Sequence, residues 1–319
     1  MRRLTLLLLV LSGFLPLAAR ELPSLADWMS ALPDETPIHR MSVPGSHDSG
    51  AVCGNVFLKV QDAAIGRQLE MGVRFFDVRL KADSAPGVTT EGAEGKGAAM
   101  LGVYHSGQYM EQTWEDDVLP TMRKFLKSHP REFLIVLLKC EGGSSRGFAR
   151  LLGRSLSGAE DITREFSSSL TLGECRGRII FLLRDEVEGA PMAARIAGWD
   201  DNVTCHVTIH PRQGDVGTAC VEDEYGYDSV AAAHYKTLTT LRNMAAAALQ
   251  RPAPDGRSCW YITYASCHAV PNNSPGEFAE RVNPAVQREI PAFDGPLGTV
   301  LIDFCAQYSD LIRMIVERN

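Results

Sequence analysis

The chain has 319 residues, of which 45% are hydrophobic and 22% are charged, and its formal net charge is −7. This length suits one large domain of barrel size or two smaller domains. The acidic balance argues against a nucleic-acid partner and against electrostatic adhesion to anionic lipid, and no segment indicates an obligate protein partner.

The N-terminus has the pattern of a secretory signal peptide. Two arginines precede an apolar run that covers residues 4–19. This run is short for a membrane span, so residues 1–19 are predicted to be a signal peptide and residues 20–319 a single exported domain, secreted or periplasmic. An uncleaved membrane anchor is the alternative. Without the signal peptide, 30 basic and 39 acidic residues remain, a net charge of −9.

Short apolar, β-branched runs recur along the chain and predict strands. These runs cover residues 38–43, 73–79, 101–104, 133–139, 179–184, 260–265 and 299–303. Helical patterns, with apolar residues three and four apart, cover residues 60–71, 114–128, 229–249, 275–287 and 308–317. Strands that alternate with helices imply a parallel sheet with buried strands.

The first strand leads into a loop, residues 43–50, that is rich in turn residues and holds His47 next to Asp48. Proline and glycine fix the backbone of such a loop while its side chains stay open to a ligand. A second histidine, His105, lies at the tip of a later strand in a similar setting. Two such histidines suggest a general acid and a general base.

Further residues with reactive or charged side chains follow the ends of the predicted strands. The edge formed by the carboxyl ends of the strands is where active sites are built in a closed parallel barrel. We therefore predict a TIM-like (β/α) barrel of the α/β class, distorted or incomplete, with a site at this edge. The residues at the edge are Asp77, Arg79, His105, Lys139, Arg184 and Asp303.

Residues 81–99 are rich in glycine, alanine and acids and show no periodicity. They lie between the second and third predicted strands. We expect an exposed loop or flap there, and not a linker between domains.

All eight cysteines fall in the predicted exported part of the chain. Their even number predicts disulfides. Sequence cannot choose the pairing, although Cys205 with Cys220 and Cys259 with Cys267 are local candidates. Neither clustered thiols nor an H-E-x-x-H pattern occurs, so a zinc site is not expected.

Two histidines with Arg79 between them in sequence suit the cleavage of a phosphodiester by a neighbouring hydroxyl. That reaction needs a base for the hydroxyl proton, an acid for the leaving alkoxide and positive charge on the phosphate oxygens. Histidine suits both proton roles because its ordinary pKa of about 6.5 lies near working pH. Arginine can grip two phosphoryl oxygens while it remains charged.

At these positions the chain resembles the X region of phosphatidylinositol-specific phospholipase C, with motifs in the same order. The resemblance covers roughly residues 36–317. The motifs are PGSHD (44–48), GVRFFDVR (72–79), VYH (103–105), EFLIVLLK (132–139), GRIIFLLR (177–184), VEDEY (221–225) and VLIDF (300–304).

The resemblance implies a catalytic role for six residues. His47 would be the general base on the inositol 2-hydroxyl, oriented by Asp303, and His105 the general acid for the diacylglycerol oxygen, supported by Asp48. Arg79 would stabilise the phosphate and would itself be held by Asp77. The products would be diacylglycerol and a 1,2-cyclic inositol phosphate, made from phosphatidylinositol or a glycosyl-phosphatidylinositol at a membrane surface.

The resemblance also implies a set of inositol-binding residues. Lys139, Arg184 and Asp223 would form hydrogen bonds with inositol hydroxyls, and Tyr225 would stack under the ring.

The family has a calcium-dependent eukaryotic branch and a metal-independent bacterial branch. In this chain Asp48 stands where calcium-binding members have asparagine, and Arg79 and Lys139 stand where they have acids. Two cations there would repel Ca²⁺, which takes several oxygen ligands. The resemblance therefore implies the bacterial branch, with no metal or other cofactor, and gives the work of the ion to Arg79.

Three other functions fit parts of the sequence. A non-catalytic module could bind inositol lipids or glycans through the same pocket. A literal G-x-S-x-G pattern centred on Ser145 suits a serine esterase of the α/β-hydrolase type, with His268 and a later acid such as Asp201 or Asp223. A metal-dependent glycerophosphodiester phosphodiesterase would need carboxylates where Arg79 and Lys139 stand.

Overall fold

A computed structural model of the chain describes residues 23–83, 100–142, 145–184 and 193–319. The strands in this part are β1 (Val43–Ser46), β2 (Phe75–Asp83), β3 (Met100–His105), β4 (Gln108–Thr113), β5 (Leu134–Cys140), β6 (Ile179–Leu183), β7 (Ala194–Ala197), β8 (Thr204–His210), β9 (Gly217–Glu222), β10 (Cys259–Tyr264) and β11 (Thr299–Ile302). The α-helices are α1 (Ile65–Glu70), α2 (Leu119–Ser128), α3 (Ser145–Ser157), α4 (Leu172–Cys175), α5 (Ala233–Ala248), α6 (Pro275–Glu289) and α7 (Ser309–Val316).

Nine strands close into a barrel in the order β1-β11-β10-β9-β8-β7-β6-β5-β2, and β2 pairs back to β1. Eight of the nine run parallel, and β8 runs antiparallel to β7 and β9. The predicted TIM-like barrel, distorted and formed by a single domain, is therefore confirmed. The prediction of a purely parallel sheet was wrong, because β7, β8 and β9 join as hairpins, which need no crossover helix.

A hairpin extends one wall of the barrel beyond the ring. The second half of β2 pairs with β3, and β3 pairs with β4, both antiparallel. The sequence predicted β3 as a barrel strand and did not predict β4. His105 consequently lies at the tip of a hairpin beside the barrel mouth, and not at the end of a ring strand.

The barrel interior is filled by apolar side chains that alternate along each strand. Period-two alternation places Phe75 of β2, Leu137 of β5, Val221 of β9 and Leu301 of β11 in one interior cluster. The side chains on the outer faces pack against the helices in a second, larger cluster. The two clusters are the interior and exterior layers expected of a barrel of this class.

β1 starts later than the sequence indicated. Residues 38–40 form a short 3₁₀ helix, and the strand covers Val43–Ser46. Gly45 lies between Leu301 and Phe75 in the barrel wall, and a Cβ there would come within 2.8 Å of Leu301 Cγ. A glycine is therefore needed for the strand to pass this point.

The predicted disulfides are absent: no disulfide joins any two of the eight cysteines, which all lie in the described part of the chain. Cys205 pairs in register with Val221, and Cys220 pairs with His206, so the two thiols project from opposite faces of the β8–β9 pair. Cys259 begins β10 and Cys267 follows its end, so the length of the strand separates them. Neither local pair can be bridged in this fold.

Two predictions fall partly or wholly on residues outside the described part of the chain. Residues 81–83 continue β2, and the rest of the predicted flap, residues 84–99, lies outside the described residues, as does the whole of the predicted signal peptide. Among the helices that are described, none combines the length and the apolar character that a membrane crossing requires.

Gly45→Ala should destabilise the barrel by about 1–3 kcal/mol, because the added methyl group overpacks a filled interior. Urea unfolding followed by circular dichroism measures this loss. Gly66→Ala in α1 is the matched control, because its new Cβ would meet only an ordinary contact of 3.4 Å with Thr121. Equal midpoints for the two variants would contradict the packing argument.

Candidate active site

The interior rows of the barrel end in charged and polar side chains at the carboxyl ends of the strands. The next inward position after Val43 and Gly45 is His47, and the position after Leu301 is Asp303. Five other strands, β2, β5, β6, β9 and β10, end in the same way, so strand alternation alone brings these groups over the apolar interior. The corresponding residues are Asp77 and Arg79 of β2, Lys139 of β5, Arg184 after β6, Asp223 after β9 and Tyr264 of β10.

A cavity of about 340 Å³ opens at this end of the barrel. Eight of the ten predicted site residues line it, and the other two, Asp48 and Asp77, are buried. The structure therefore brings together all the residues that the sequence predicted for the site. The eight lining residues are His47, Arg79, His105, Lys139, Arg184, Asp223, Tyr225 and Asp303.

The loop after β1 is held by buried hydrogen bonds. The side-chain amide of Gln61 donates to the carbonyl oxygens of His47, at 2.7 Å, and Ile302, at 2.9 Å. The backbone N–H of Ser49 donates to the carbonyl oxygen of Asp77 at 2.7 Å. Asp48, between them, has a positive φ of 39°, and these bonds hold the backbone in that strained turn.

His47 Nδ1 donates a hydrogen bond of 2.8 Å to Asp303 Oδ1. This bond fixes the orientation of the ring and leaves Nε2 facing the cavity and Asp48 Oδ2, at 3.2 Å. Burial by itself would lower the pKa of His47, but Asp48 and Asp303 together raise it to about 9. The protonated ring is therefore favoured when no ligand is bound.

Asp48 is the common partner of three basic groups. Its carboxylate contacts Arg79 Nε, and its Oδ2 lies 3.2 Å from His47 Nε2 and 3.1 Å from His105 Nε2. Burial opposes ionisation of this carboxyl, but Arg79 and the two histidines lower its pKa to about 2. A permanently charged carboxylate thus lies between the two imidazoles.

His105 is fixed from its other side by the backbone. Its Nδ1 donates a hydrogen bond of 2.6 Å to the carbonyl oxygen of Leu58. Since a carbonyl oxygen can only accept, Nδ1 carries a proton and Nε2 is the position from which a second proton can leave. The His105 side chain is 9% exposed, with Nε2 directed at Asp48.

Arg79 is held differently from the prediction. The sequence assigned Asp77 to this task, whereas Arg79 contacts Asp48 directly and approaches Glu141 Oε2 at 3.9 Å. Burial opposes the charge on Arg79, but the surrounding carboxylates, Asp77 among them, raise its pKa. Asp77 accepts a long hydrogen bond, 3.5 Å, from the hydroxyl of Tyr264.

The far wall of the cavity combines charged and aromatic groups. Arg184 forms an ion pair of 3.2 Å with Asp223, and its guanidinium lies 4.2 Å from the ring centre of Trp199. The indole N–H of Trp199 donates to the same carboxylate at 3.1 Å. Tyr225 stands beside them, and its hydroxyl donates to Asp201 at 2.8 Å. Such a wall offers both donors and acceptors to a polyhydroxylated ligand.

Sequence reasoning missed several residues of this site. Trp199 and Asp201 belong to the turn between β7 and β8, two strands that the sequence did not predict. Tyr264 could have been found, because it is the next inward residue after Trp260 and Ile262 on a predicted strand. Its ring meets His47 edge-on at 5.8 Å.

The described residues of the G-x-S-x-G pattern, residues 145–147, do not line the cavity. Ser145 is exposed at the start of α3 and is not among the lining residues, whereas His268 is. A serine nucleophile would have to lie within hydrogen-bond reach of its base. Gly143 and Ser144 lie outside the described residues.

His47, Asp48 and Asp77 present ligand atoms within 4.8 Å of one another, a spacing that a metal ion could use. The guanidinium of Arg79 already contacts Asp48 there. The positive charge of the Arg79 guanidinium is therefore already present beside this cluster.

The chain resembles bacterial phosphatidylinositol phosphodiesterases in sequence. It is 25% identical over 351 aligned residues to the 1-phosphatidylinositol phosphodiesterase of Staphylococcus aureus (strain NCTC 8325 / PS 47), covering 99% of this chain and 97% of that protein. It is 29% identical over 168 residues to the protein of the same name from Listeria monocytogenes, covering 49% of this chain and 47% of that protein. No protein-family model matches the chain.

Solved structures share the fold. The phosphatidylinositol-specific phospholipase C of Listeria monocytogenes matches with a TM-score of 0.70 at 21% identity, over 93% of this chain and 99% of that one. The Staphylococcus aureus enzyme, solved in connection with the modulation of its membrane binding, matches with a TM-score of 0.72 at 23% identity, over 93% and 98%. The predicted resemblance to this family is thereby confirmed.

Asp303→Asn should lower the pKa of His47, because it removes a negative charge from Nδ1 while it keeps a hydrogen-bond acceptor there. An opposite charge at this range shifts a pKa by roughly one to three units, so the titration midpoint should fall from about 9 by that amount. Nuclear magnetic resonance of isotope-labelled histidine rings measures it. Asp27→Asn, beside His129 and outside the cavity, is the control. An unchanged midpoint in Asp303→Asn would contradict the assignment of Asp303 as a charge partner.

Proposed function

We propose that this chain, a relative of the bacterial phosphatidylinositol phosphodiesterases, is an exported phospholipase C. It cleaves phosphatidylinositol or a glycosyl-phosphatidylinositol into diacylglycerol and inositol 1,2-cyclic phosphate. One observation carries the proposal: two imidazoles and a guanidinium surround one buried carboxylate at the mouth of a polar cavity.

His47 is the general base of the first proton transfer. Its Nδ1–H is bound by Asp303, so Nε2 takes the proton of the inositol 2-hydroxyl as that oxygen bonds to phosphorus. Only the neutral ring can do this. The rate should therefore rise with pH through the pKa that Asp48 and Asp303 set for His47.

His105 is the general acid of the same step. The bond between phosphorus and the glycerol oxygen breaks, and the proton on Nε2 of His105 passes to that oxygen, giving neutral diacylglycerol. Leu58 holds the other ring nitrogen, so only Nε2 can release this proton. Asp48 Oδ2 lies 3.1 Å from the same Nε2 and orients it.

Arg79 supplies the positive charge that the phosphate requires. Its guanidinium lines the cavity and is held at its base by Asp48, so it is oriented before the substrate arrives. Lys139 lines the same cavity and adds to the field on Asp48. We therefore assign charge neutralisation to these side chains and expect the reaction to need no Ca²⁺.

The far wall binds the inositol. Arg184 and Asp223 are already paired and fixed by Trp199, so they can offer hydrogen bonds to neighbouring hydroxyls without reorganising. Lys139 reaches the same space, and Tyr225 offers a ring face to the sugar.

Apolar side chains at the cavity mouth bring the enzyme to the lipid surface. Val56 is 66% exposed and Val270 is 53% exposed, and Phe57 and Val270 both line the mouth. The acidic net charge disfavours electrostatic adhesion, so apolar contact is the main attraction. Export by the N-terminal signal would place the enzyme outside the cytoplasm, secreted or periplasmic.

Two other functions have less support. A non-catalytic inositol-lipid module would not need two imidazoles on one carboxylate, and Ser145 of the esterase hypothesis is not a lining residue of the cavity.

His47→Ala and His105→Ala should each lower turnover of phosphatidylinositol by about a hundredfold or more, the usual effect of losing a general acid or base. Release of inositol 1,2-cyclic phosphate, followed by phosphorus resonance, measures it. Excess chelator should leave the wild-type rate unchanged, and His234→Ala, an exposed histidine on α5, is the control.

Three results would refute this proposal. Activity that disappears with chelator and returns with Ca²⁺ would remove the role given to Arg79. Full activity in either histidine variant would remove the acid–base assignment, and loss of activity in Ser145→Ala would favour the esterase.

Val56→Ser combined with Val270→Ser should weaken binding to phosphatidylcholine vesicles by roughly tenfold, because each valine gives up apolar burial in the bilayer. Sedimentation with vesicles measures the partition. Leu249→Ser is the matched control, because Leu249 is equally exposed, at 66%, at the far end of α5. An equal loss of vesicle binding in the double variant and in Leu249→Ser would mean that the cavity mouth is not the lipid-facing surface.

A further inference from the structure

His268 lies on the wall of the cavity but has no part in the chemistry proposed above. It follows β10, and its backbone is fixed against the segment after β9. Its N–H donates to the carbonyl oxygen of Tyr225 at 2.9 Å, and its carbonyl oxygen accepts from the N–H of Tyr227 at 3.0 Å. The backbone of His268 is therefore held as firmly as that of a residue in a strand.

The ring of His268 is oriented by two neighbours. Its centroid lies 5.6 Å from that of Tyr225, and its Nδ1 accepts the N–H of Val270 at 3.4 Å. Because a backbone N–H can only donate, Nδ1 is the unprotonated nitrogen and Nε2 carries the hydrogen. Nε2 makes no hydrogen bond with any residue in the described part of the chain.

Four charged groups that line the cavity influence the pKa of His268. Burial lowers its pKa most, His47, His105 and Arg79 lower it further, and Asp303 opposes them. The ring is therefore neutral near pH 7 and keeps one donor. These four groups line the same cavity as His268, and they are the groups that surround the phosphate in the proposed reaction.

We propose that His268 is a phosphate-contacting residue, whose Nε2–H donates a hydrogen bond to a non-bridging oxygen of the substrate phosphate. The inference rests on the proposed function for the identity of the ligand. A neutral donor at this place complements Arg79 without adding a second charge beside His47. It would reach the phosphate from the side of the cavity where Tyr225 lies.

Binding measurements test this contact without any need for turnover. Calorimetric titrations of myo-inositol 1-phosphate and of unphosphorylated myo-inositol are compared for wild type, His268→Ala, His268→Gln and His234→Ala. His268→Ala should bind the phosphate ligand roughly tenfold or more weakly, the usual effect of losing a hydrogen bond to a charged group, and myo-inositol within about twofold of wild type.

The other variants separate a contact from a structural effect. His268→Gln keeps a donor amide and should recover part of the phosphate affinity, and His234→Ala should match wild type. Unchanged phosphate affinity in His268→Ala would overturn the inference, and so would an equal loss for both ligands. If the variants differ in binding as predicted but the wild-type protein releases no cyclic phosphate from phosphatidylinositol, the proposed function alone is refuted.

Discussion

The carboxylate of Asp48 is the constraint on which the site depends. It is 3% exposed, and it balances Arg79 and two histidines at once. A buried charge of this kind is tolerable only where its partners are fixed, because an unpaired carboxylate in the interior is costly. The Gln61 hydrogen bonds and the close approach at Gly45 serve this end, since they hold the strained loop that carries Asp48 against β2 and β11.

The alternation of side chains along the strands places most of the other site residues. The barrel strands contribute apolar side chains to the interior, and in all of them except β7 and β8 the next inward position at the carboxyl end is polar. The same period that fills the barrel therefore also assembles the cavity, with no separate element needed to carry most of the site. His105 is the exception, because a hairpin beside the ring brings it in and the carbonyl of Leu58 orients it.

Much of this could be predicted because the signal is local. Long apolar runs predicted β5, β6, β10 and β11 nearly to the residue, and the charged residues at the ends of three of them, Lys139, Arg184 and Asp303, mark the cavity edge. β7, β8 and β9 were missed because they are short or alternate weakly, so Trp199 and Asp201 had no strand to place them. The contact of Arg79 with Asp48 and the absence of disulfides could not be predicted from the sequence, since both depend on register between strands that are distant or unpredicted.

The reversed direction of β8 has a consequence for how the recognition wall can vary. A hairpin replaces the helical crossover at this point, and the outer face of β8 carries exposed Thr204 and His206 where other strands are covered. The tip of that hairpin supplies Trp199 and Asp201 to the cavity without being threaded through the helical shell. Evolution or grafting can exchange this tip and change the aromatic and charged wall of the cavity while the cluster around Asp48, built on other strands, stays untouched.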